Sequence, residues 1–233
     1  MLEKLLAELK INTEDIIKEK VLSVSAFKEI NSFYQRIENL INDPSFAEQR
    51  KYYAYDHVIT HSSNVTLNSV AIARAAKLSS KDYYEVLIGA AMHDVDKLYW
   101  PTELLDKPKN MLSREDWTRI VEHAVASAIF VERLTKFQIS EGVINIIKQH
   151  HENLDGSGYP NRISGKDISF NARIIRVTDS YDSMVSIRPY KKQVLSSEAA
   201  LNDLKSKTGV IYDAEIVRLF EETLRQEKLA TTD

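Results

Sequence analysis

The sequence predicts an all-α protein, built as a bundle of helices, and three observations lead to that prediction. Apolar residues recur at spacings of three and four along most of the 233 residues, which is the period of a helix with one buried face. Runs of alternating β-branched residues are nearly missing, and the single Asp-Gly pair is not flanked by strand-like segments. Serine or asparagine precedes most of the periodic stretches, as expected for residues that cap helix starts.

The N-terminal helices come first. Residues 2–10 carry a helical stripe of leucines at positions 2, 5, 6 and 9. Asn12 precedes a second periodic stretch that runs to about Ile41, with a break near Ser23–Ser25. Asp43-Pro44 ends this stretch, because a residue that precedes proline is disfavoured in the helical region.

Further helices are predicted from Thr60 to Ala76 and after each of five serines. These serines share a position just before a periodic stretch: Ser79, Ser113, Ser140, Ser169 and Ser196. Asp82 and Asp116 lie three residues after the first two of them, which is the spacing of a capping box. Gly209 ends the helix that Ser196 begins. The last helix spans about residues 213–228 and buries the apolar positions 216, 217, 220 and 224.

The composition excludes several classes of protein. With 31 basic and 34 acidic side chains the chain has a formal charge of −3, which argues against binding of polymeric nucleic acid through bulk positive charge. The absence of cysteine excludes disulfides, iron–sulfur clusters and cysteine zinc sites, and it fits a reducing compartment. No apolar run approaches the roughly 20 residues of a membrane span. We therefore expect a cytoplasmic protein without membrane contact.

The strongest candidate for a domain boundary is the stretch Asp43–Tyr55, where a proline and a cluster of polar and tyrosine residues interrupt the helical pattern. We therefore divide the chain into an N-terminal helical segment, residues 1–50, and a main domain, residues 51–233. Three interpretations of the first segment stay open. It is a dimerisation element that makes a homodimer, a remnant of a sensor, or the first part of one bundle.

The histidines indicate metal chemistry, because all six lie between His57 and His151 and neutral imidazole is the commonest metal-binding side chain. Candidate ligands recur about every 30 residues, which is close to the length of one helical hairpin. Successive ligands would therefore return to one level of a bundle on different helices, as in known metal sites of helical bundles. A single histidine or aspartate of this kind is more often hydrogen-bonded or solvated. The recurring candidates are His61, His93, Asp94, His123, His150, His151 and Asp179.

Two local motifs point to a family. The first is His93-Asp94-Val95-Asp96-Lys97, and the second is HHENLDGSGYP at residues 150–160. With these motifs the chain resembles the HD-GYP domains, the bacterial branch of the HD phosphohydrolases that hydrolyses cyclic di-GMP. The first motif is spread across all HD phosphohydrolases, whereas the second is highly specific. The resemblance covers roughly residues 55–225 and implies an HD-type helical bundle with a short N-terminal helical appendage.

The resemblance also implies a site with two divalent metal ions, most simply iron or manganese. The ligands at matching positions are His61, His93, Asp94, His123, His150, His151 and Asp179. Asp94 would bridge the two ions, and a hydroxide between the ions would attack phosphorus while Lys97 stabilises the charge that develops. The product would be the linear dinucleotide pGpG, or GMP after a second cleavage. Asp94 and Lys97 are thus the expected catalytic residues.

Further residues at matching positions are expected to contact the substrate. Lys97 would contact the scissile phosphate, Asp182 a guanine edge, and the basic residues Arg188 and Lys191 the ligand. Tyr159 belongs to the signature loop and either contacts the ligand or packs the loop. Asp155 and its neighbouring glycines are also consistent with a role in building the turn alone.

Two positions depart from the family pattern. Asp96 stands where the family usually has glycine, and three roles are open: pairing with Lys97, a hydrogen bond in the surroundings of the metals, or exposure to solvent. His57 stands where family members with three metals have a glutamate ligand, one helical turn before His61. His57 is therefore either a ligand of a third metal or a sign that the third site is missing, and we expect two metals.

Two other functions compete with an active cyclic di-GMP phosphodiesterase. One is a binding module that senses cyclic di-GMP, with hydrolysis disabled by Asp96. The other is a phosphohydrolase of another cyclic dinucleotide. The expected partners are cyclic di-GMP itself and either a GGDEF-type diguanylate cyclase that docks on the signature loop or an upstream sensor protein.

Overall fold

The computed structural model describes residues 1–42, 55–187 and 193–230, and within these ranges the protein is all-α, as predicted. The described residues form eleven α-helices, joined by loops and short 3₁₀ turns. The helices are α1 (Leu2–Glu8), α2 (Thr13–Lys18), α3 (Val24–Asn42), α4 (Tyr55–Ala75), α5 (Ser80–Met92), α6 (Thr102–Leu105), α7 (Arg114–Leu134), α8 (Glu141–Gln149), α9 (Phe170–Val185), α10 (Ser197–Ser206) and α11 (Ala214–Ala230).

The predicted caps start the helices. Each of the five serines accepts a hydrogen bond from the backbone N–H three residues later, at the starts of α5, α7, α8, α9 and α10. Ser113 and Asp116 form a complete capping box. Asn12 caps α2 by accepting from the Glu14 N–H, and the chain breaks between α2 and α3 as predicted. The predicted end at Asp43-Pro44 lies outside the described residues.

The bundle is organised around α4 and α5, which pack along each other. Helix α4 also packs against α9 and α11, and α5 packs against α8, which in turn contacts α7. Apolar side chains fill the spaces between these helices, including the fully buried Leu87, Ile146 and Phe220. This packing brings the inner faces of α4, α5, α7, α8 and α9 toward one another.

The N-terminal helices pack against the bundle. Leu2, Leu6 and Ile30 belong to the same buried apolar cluster as Leu87 of α5 and Ile147 of α8. The Tyr34 hydroxyl donates to the Ala91 carbonyl at 2.8 Å, two residues before His93. Residues 1–42 are thus built onto the main bundle, while their role in dimerisation or sensing stays a prediction.

The segment between α5 and α7 departs from regular helix. A 3₁₀ turn, Val95–Tyr99, follows His93 and Asp94, and Pro101 then precedes the short helix α6. The chain passes through Pro108 and a second 3₁₀ turn, Lys109–Met111, before Ser113 starts α7. The helical periodicity did not predict these short elements, which form one wall of the site. Within the described part of the chain, no helix combines the length and hydropathy needed to cross a membrane.

Candidate metal centre

Five helices bring the predicted ligands together at one level of the bundle. His61 and Asp179 lie within α4 and α9, and His123 lies within α7. His93 and His150 lie at the C-terminal ends of α5 and α8, each followed directly by a second candidate ligand. Two groups of side chains result, and in each group the ligand atoms lie within 4.8 Å of one another. The first group is His61, His93 and Asp94, and the second is Asp94, His123, His150 and His151.

Asp94 belongs to both groups. Its Oδ1 lies 3.1 Å from His123 Nε2, while its Oδ2 lies 3.5 Å from His93 Nε2 and 3.6 Å from His61 Nε2. The two carboxylate oxygens therefore face two different sets of imidazoles. This is the arrangement needed for one carboxylate to bridge two cations.

Asp179 also lies between the two groups. Its Oδ1 is 3.1 Å from His61 Nε2, and its Oδ2 is 3.7 Å from His151 Nδ1. The structure thus brings all seven predicted ligands into one cluster, in which six are buried and His151 is partly exposed. His93 and His150 are fully buried, and Asp179 is 6% exposed.

Backbone carbonyls orient three of the imidazoles. Each of these histidines has its Nδ1 within hydrogen-bond distance of the carbonyl three residues earlier on its own helix. The pairs are His93 with Ala90 at 2.7 Å, His123 with Ile120 at 2.5 Å, and His150 with Ile147 at 2.6 Å. We assign the proton to Nδ1 in each, because a carbonyl can only accept. In the neutral rings this leaves the Nε2 lone pairs directed into the site.

These lone pairs fit a cation. His123 Nε2 lies 3.2 Å from His150 Nε2, and in the assigned tautomers neither nitrogen carries a proton to share. The Oδ1 atom of Asp94 is buried and has no hydrogen-bond partner among the residues that the structure describes. Such a set of buried acceptors is costly unless a cation satisfies it. Imidazole nitrogens and carboxylates without sulfur suit iron, manganese or zinc.

The local electrostatics of His93, Asp94, His150 and His151 favour the deprotonated forms, which are the forms that bind a cation. Burial lowers the pKa of His93, and burial together with neighbouring imidazoles holds the pKa of His150 and His151 well below the usual range. Burial alone would raise the pKa of the Asp94 carboxyl, but the charge of Lys97 and the interactions with the adjacent histidines outweigh burial and hold it well below its usual value. The imidazoles of His93, His150 and His151, whose pKa values are lowered, therefore lie in one cluster with an ionised carboxylate.

His61 differs from the other imidazoles because two carboxylates contact it. Burial opposes its charge, but hydrogen bonds to Asp179 and Asp182 outweigh burial and raise the pKa of His61 to about 9. Asp182 Oδ2 lies 2.6 Å from His61 Nδ1, and Asn64 and Ser186 donate to Asp182 Oδ1 at 2.9 and 2.8 Å. Asp182 thus orients His61 through Nδ1, the ring nitrogen that does not face Asp94 and Asp179. Spacing along the sequence did not reveal this role. Its predicted contact with guanine stays a prediction.

Lys97 and Asp96 point to different partners. Lys97 Nζ lies 2.8 Å from Asp94 Oδ2, and its side chain is 18% exposed at the edge of the site. Asp96 Oδ2 instead accepts a hydrogen bond from Trp100 Nε1 at 2.8 Å. Of the three roles open for Asp96, the structure therefore shows the hydrogen bond in the surroundings of the metal ligands, and not the pairing that would divert Lys97.

The remaining predicted residues lie around the cluster or outside the described residues. His57 lies one turn before His61 on α4, but it is exposed and the structure does not bring it into either group of ligands. Tyr159 packs its ring against His151, with centroids 4.7 Å apart. Arg188 and Lys191 lie outside the described residues.

The signature loop is shaped by its own side chains. Asp155 accepts hydrogen bonds from the backbone N–H and the hydroxyl of Ser157, and Gly156 has a φ of +79°. A Cβ at Gly158 would collide with the backbone of Asn153, so only glycine fits there. Glu152 accepts from the Asn161 N–H at 2.7 Å and is 1% exposed. These contacts are those expected of a loop that holds Tyr159 beside His151.

A cavity of about 250 Å³ opens beside the ligand cluster. His61, Asp94 and Lys97 line this cavity, and residues of the segment from Leu104 to Leu112 form another part of its wall. The sequence offered one signal for this wall, the apolar residues between Pro101 and Pro108, but nothing in their spacing assigned them to the site.

Comparison with known proteins agrees with the family resemblance that the sequence motifs indicate. Residues 47–216 match the model of the HD domain family. A cyclic di-GMP phosphodiesterase from Thermotoga maritima is 32% identical over 160 residues, which cover 69% of this chain and 43% of that protein. The 3'3'-cGAMP-specific phosphodiesterase 3 of Vibrio cholerae is 33% identical over 131 residues, which cover 56% of this chain and 28% of that protein. The chain thus spans less than half the length of these two relatives.

A solved structure shares the fold. Bd1817, an HDG"Y"P protein from Bdellovibrio bacteriovorus, superposes with a TM-score of 0.60 over 72% of this chain and 52% of that one, at 22% sequence identity. At this identity the likeness speaks for the fold alone. The family match, the two sequence motifs and the shared helical architecture agree with one another. The chain belongs to the HD domain family and, by its HD-GYP signature, to the HD-GYP branch of that family.

Proposed function

We propose that the protein is a metal-dependent phosphodiesterase that hydrolyses cyclic di-GMP to pGpG. The observation that carries this proposal is the pair of buried ligand groups that share Asp94. Buried imidazole nitrogens and carboxylate oxygens that have no hydrogen-bond donor are costly unless they bind cations. The position of the ligand groups beside a cavity gives a substrate access to the same atoms.

The ligand set fits two divalent ions. The ions would be held by His61, His93, Asp94, His123, His150, His151 and Asp179. When bound, two such ions supply a water of lowered pKa and neutralise the charge of the phosphodiester. Iron and manganese suit these nitrogen and oxygen donors. His57 is exposed and belongs to neither ligand group, so we assign no metal to it.

The protein's own side chains complete the chemistry. Lys97 lies at the junction of cluster and cavity, where its ammonium group can donate to the phosphate oxygens as negative charge develops on them. Asp94 holds that ammonium in place at 2.8 Å. Asp182 fixes the ring of His61, so that Nε2 stays directed toward Asp179 and Asp94.

A second candidate substrate is 3'3'-cGAMP. The Thermotoga maritima relative acts on cyclic di-GMP, but the Vibrio cholerae relative of nearly equal identity is specific for 3'3'-cGAMP. Both substrates present a phosphodiester beside a guanine nucleotide. The ligand cluster would meet the phosphodiester that both substrates share, so parallel assays with the two dinucleotides distinguish them.

The decisive experiment combines metal content with product analysis. Protein purified without oxygen should contain about two iron or manganese ions per chain and should convert cyclic di-GMP to pGpG, as separated by anion-exchange chromatography. Asp94→Ala should lose both the metals and the turnover. Asp167→Ala is the matched control, because this aspartate is exposed on the 3₁₀ turn Gly165–Asp167 and belongs to neither ligand group.

Two outcomes would contradict the proposal. Full turnover by Asp94→Ala would remove Asp94 from the reaction. Bound metal and tight binding of cyclic di-GMP without any product would indicate a sensor rather than an enzyme. Parallel assays with 3'3'-cGAMP decide between the two substrates.

A further inference from the structure

The cavity beside the metal ligands is sized for part of a cyclic dinucleotide. Its volume of about 250 Å³ lies below the range of about 300–1,000 Å³ that encloses a whole drug-sized ligand. A substrate whose phosphodiester reaches His61 and Asp94 would therefore place one nucleoside in this cavity, with the rest of the molecule outside it. The residues that line the cavity then decide which nucleobase is accepted.

The walls of this cavity suit the flat faces of a base. Its apolar lining comes from four parts of the chain: Val58 of α4, Trp100 with Leu104 and Leu105 around α6, Leu112 with Ile120 beside and within α7, and Ile187 after α9. Apolar and aromatic surfaces bind the faces of a nucleobase without distinguishing one base from another. Discrimination must come from polar groups that meet the edge of the base.

Asp106 is a polar lining residue whose carboxylate is available for this contact. It directly follows α6, it lines the cavity, and its carboxylate makes no hydrogen bond or ion pair with a residue in the described ranges. The neighbouring Lys107 is already engaged, because its ammonium lies 2.5 Å from Asp116 Oδ2. Among the charged lining residues of this wall, Asp106 therefore offers two open acceptor oxygens.

Asp106 shares the lining of this cavity with His57, near the start of α4. Burial raises the pKa of the Asp106 carboxyl, an effect that nearby His57 opposes and Glu103 reinforces. His57 lies one helical turn before His61, about 6 Å along the axis of α4. Asp106 and His57 both line the cavity and belong to neither ligand group, so a base held in the cavity can meet Asp106 while the phosphate lies at the metals.

We propose that this cavity holds a guanine base of the substrate and that Asp106 selects guanine by accepting hydrogen bonds from its N1–H and N2–H₂ groups. Guanine presents these two donors side by side, which matches the two oxygens of one carboxylate. Adenine has an acceptor at N1 and no amino group at C2, so it would leave the carboxylate unpaired. The inference rests on the proposed function for the identity of the substrate, and it makes Asp106 a specificity-determining residue rather than a catalytic one.

Mononucleotide binding tests this inference separately from turnover. The probes are 5'-GMP and 5'-AMP, titrated by calorimetry into the full chain with its metals. We expect the wild type to bind GMP more tightly than AMP. Asp106→Asn preserves shape but replaces one acceptor with a donor, so it should weaken GMP binding about tenfold to hundredfold and leave AMP binding unchanged. Glu103→Gln, an exposed neighbour that loses the same charge, is the control and should bind GMP as the wild type does.

Kinetics provide the second measurement. In Asp106→Asn the KM for cyclic di-GMP should rise by a similar factor while kcat is retained, because the affected contact is to the base and not to the reacting atoms. Equal binding of GMP and AMP by the wild type, or unchanged GMP binding by Asp106→Asn, would overturn the inference. A wild type that hydrolyses no cyclic dinucleotide but shows the Asp106-dependent preference for GMP would support the inference and overturn the proposed function.

Discussion

The indole N–H of Trp100 donates a hydrogen bond to the Asp96 carboxylate at 2.8 Å. Trp100 is 2% exposed, its ring meets His123 edge-on with centroids 6.1 Å apart, and it lines the cavity beside the candidate metal ligands. Asp96, which stands where the family usually has glycine, therefore fixes the position of Trp100 in the wall of the cavity. It leaves Lys97 free to contact Asp94.

Replacing Asp96 with glycine should destabilise the protein by about 1–3 kcal/mol, because a buried indole N–H then loses its partner. Asp96→Asn keeps an acceptor oxygen and should cost less. Urea unfolding measures both effects, and Asp96→Gly made in a Trp100→Phe background should cost much less than in the wild type. We also expect no gain in turnover from Asp96→Gly. An increase would show that Asp96 restrains hydrolysis.

Lys97→Met should reduce kcat by about a hundredfold to a thousandfold, because it removes a positive charge directed at the reacting phosphate. The metal ligands keep their geometry, so the metal content should not change. Elemental analysis and initial rates on the same preparation check both statements. Lys166→Met, at an exposed position, is the matched control. Turnover within about twofold of the wild type in Lys97→Met would exclude a role for this lysine in charge stabilisation.

Asp182→Ala should weaken metal binding about tenfold to hundredfold, since His61 loses the hydrogen bond that orients its ring. Asp182→Asn retains an acceptor and should recover part of the affinity. Competition with a chelator, followed by elemental analysis, gives the relative affinities. Ser186→Ala removes only a donor to Asp182 and serves as the control for a small local change. Equal affinity in the alanine and wild-type proteins would refute the orienting role.

Glu85 should make stability depend on pH in a defined direction. It is 5% exposed, and burial raises its pKa above the ordinary 4.5, despite the Ser140 hydrogen bond and Lys81 nearby. The folded protein then holds this proton more tightly than the unfolded chain does, so its stabilising effect is complete below pH 4.5 and is lost as pH rises through the raised pKa.

Glu85→Gln removes that titration while keeping the shape of the side chain. The free energy of unfolding of this variant, relative to that of the wild type, should increase as the pH is raised from 4 to 7. Urea unfolding at both pH values measures this change. Glu141→Gln, an exposed glutamate at the start of α8, should show no comparable gain. A pH dependence identical to that of the wild type in Glu85→Gln would mean that Glu85 does not titrate differently on folding.

The helices and the ligand cluster could be predicted from the sequence because their signals are local. Ser113 and Asp116 form a capping box from residues three apart, and each periodic stretch buries the face that its spacing indicates. The HHENLDGSGYP motif is contiguous, and the ligand positions recur at about the length of one helical hairpin. These features depend on the types of residues and their spacing along the chain, so they can be predicted from the sequence.

Other parts of the site were decided only by the tertiary structure. His61 and Asp182 are 121 positions apart and meet because α4 and α9 pack together. The partner of Asp96 depended on a 3₁₀ turn that brings Trp100 back toward it, and helical periodicity carries no sign of that turn. The exposure of His57 likewise depends on how other elements pack against α4, which residue spacing does not determine. Hydrogen bonds and burial are set by distances in space, and residue spacing determines such distances only within one element.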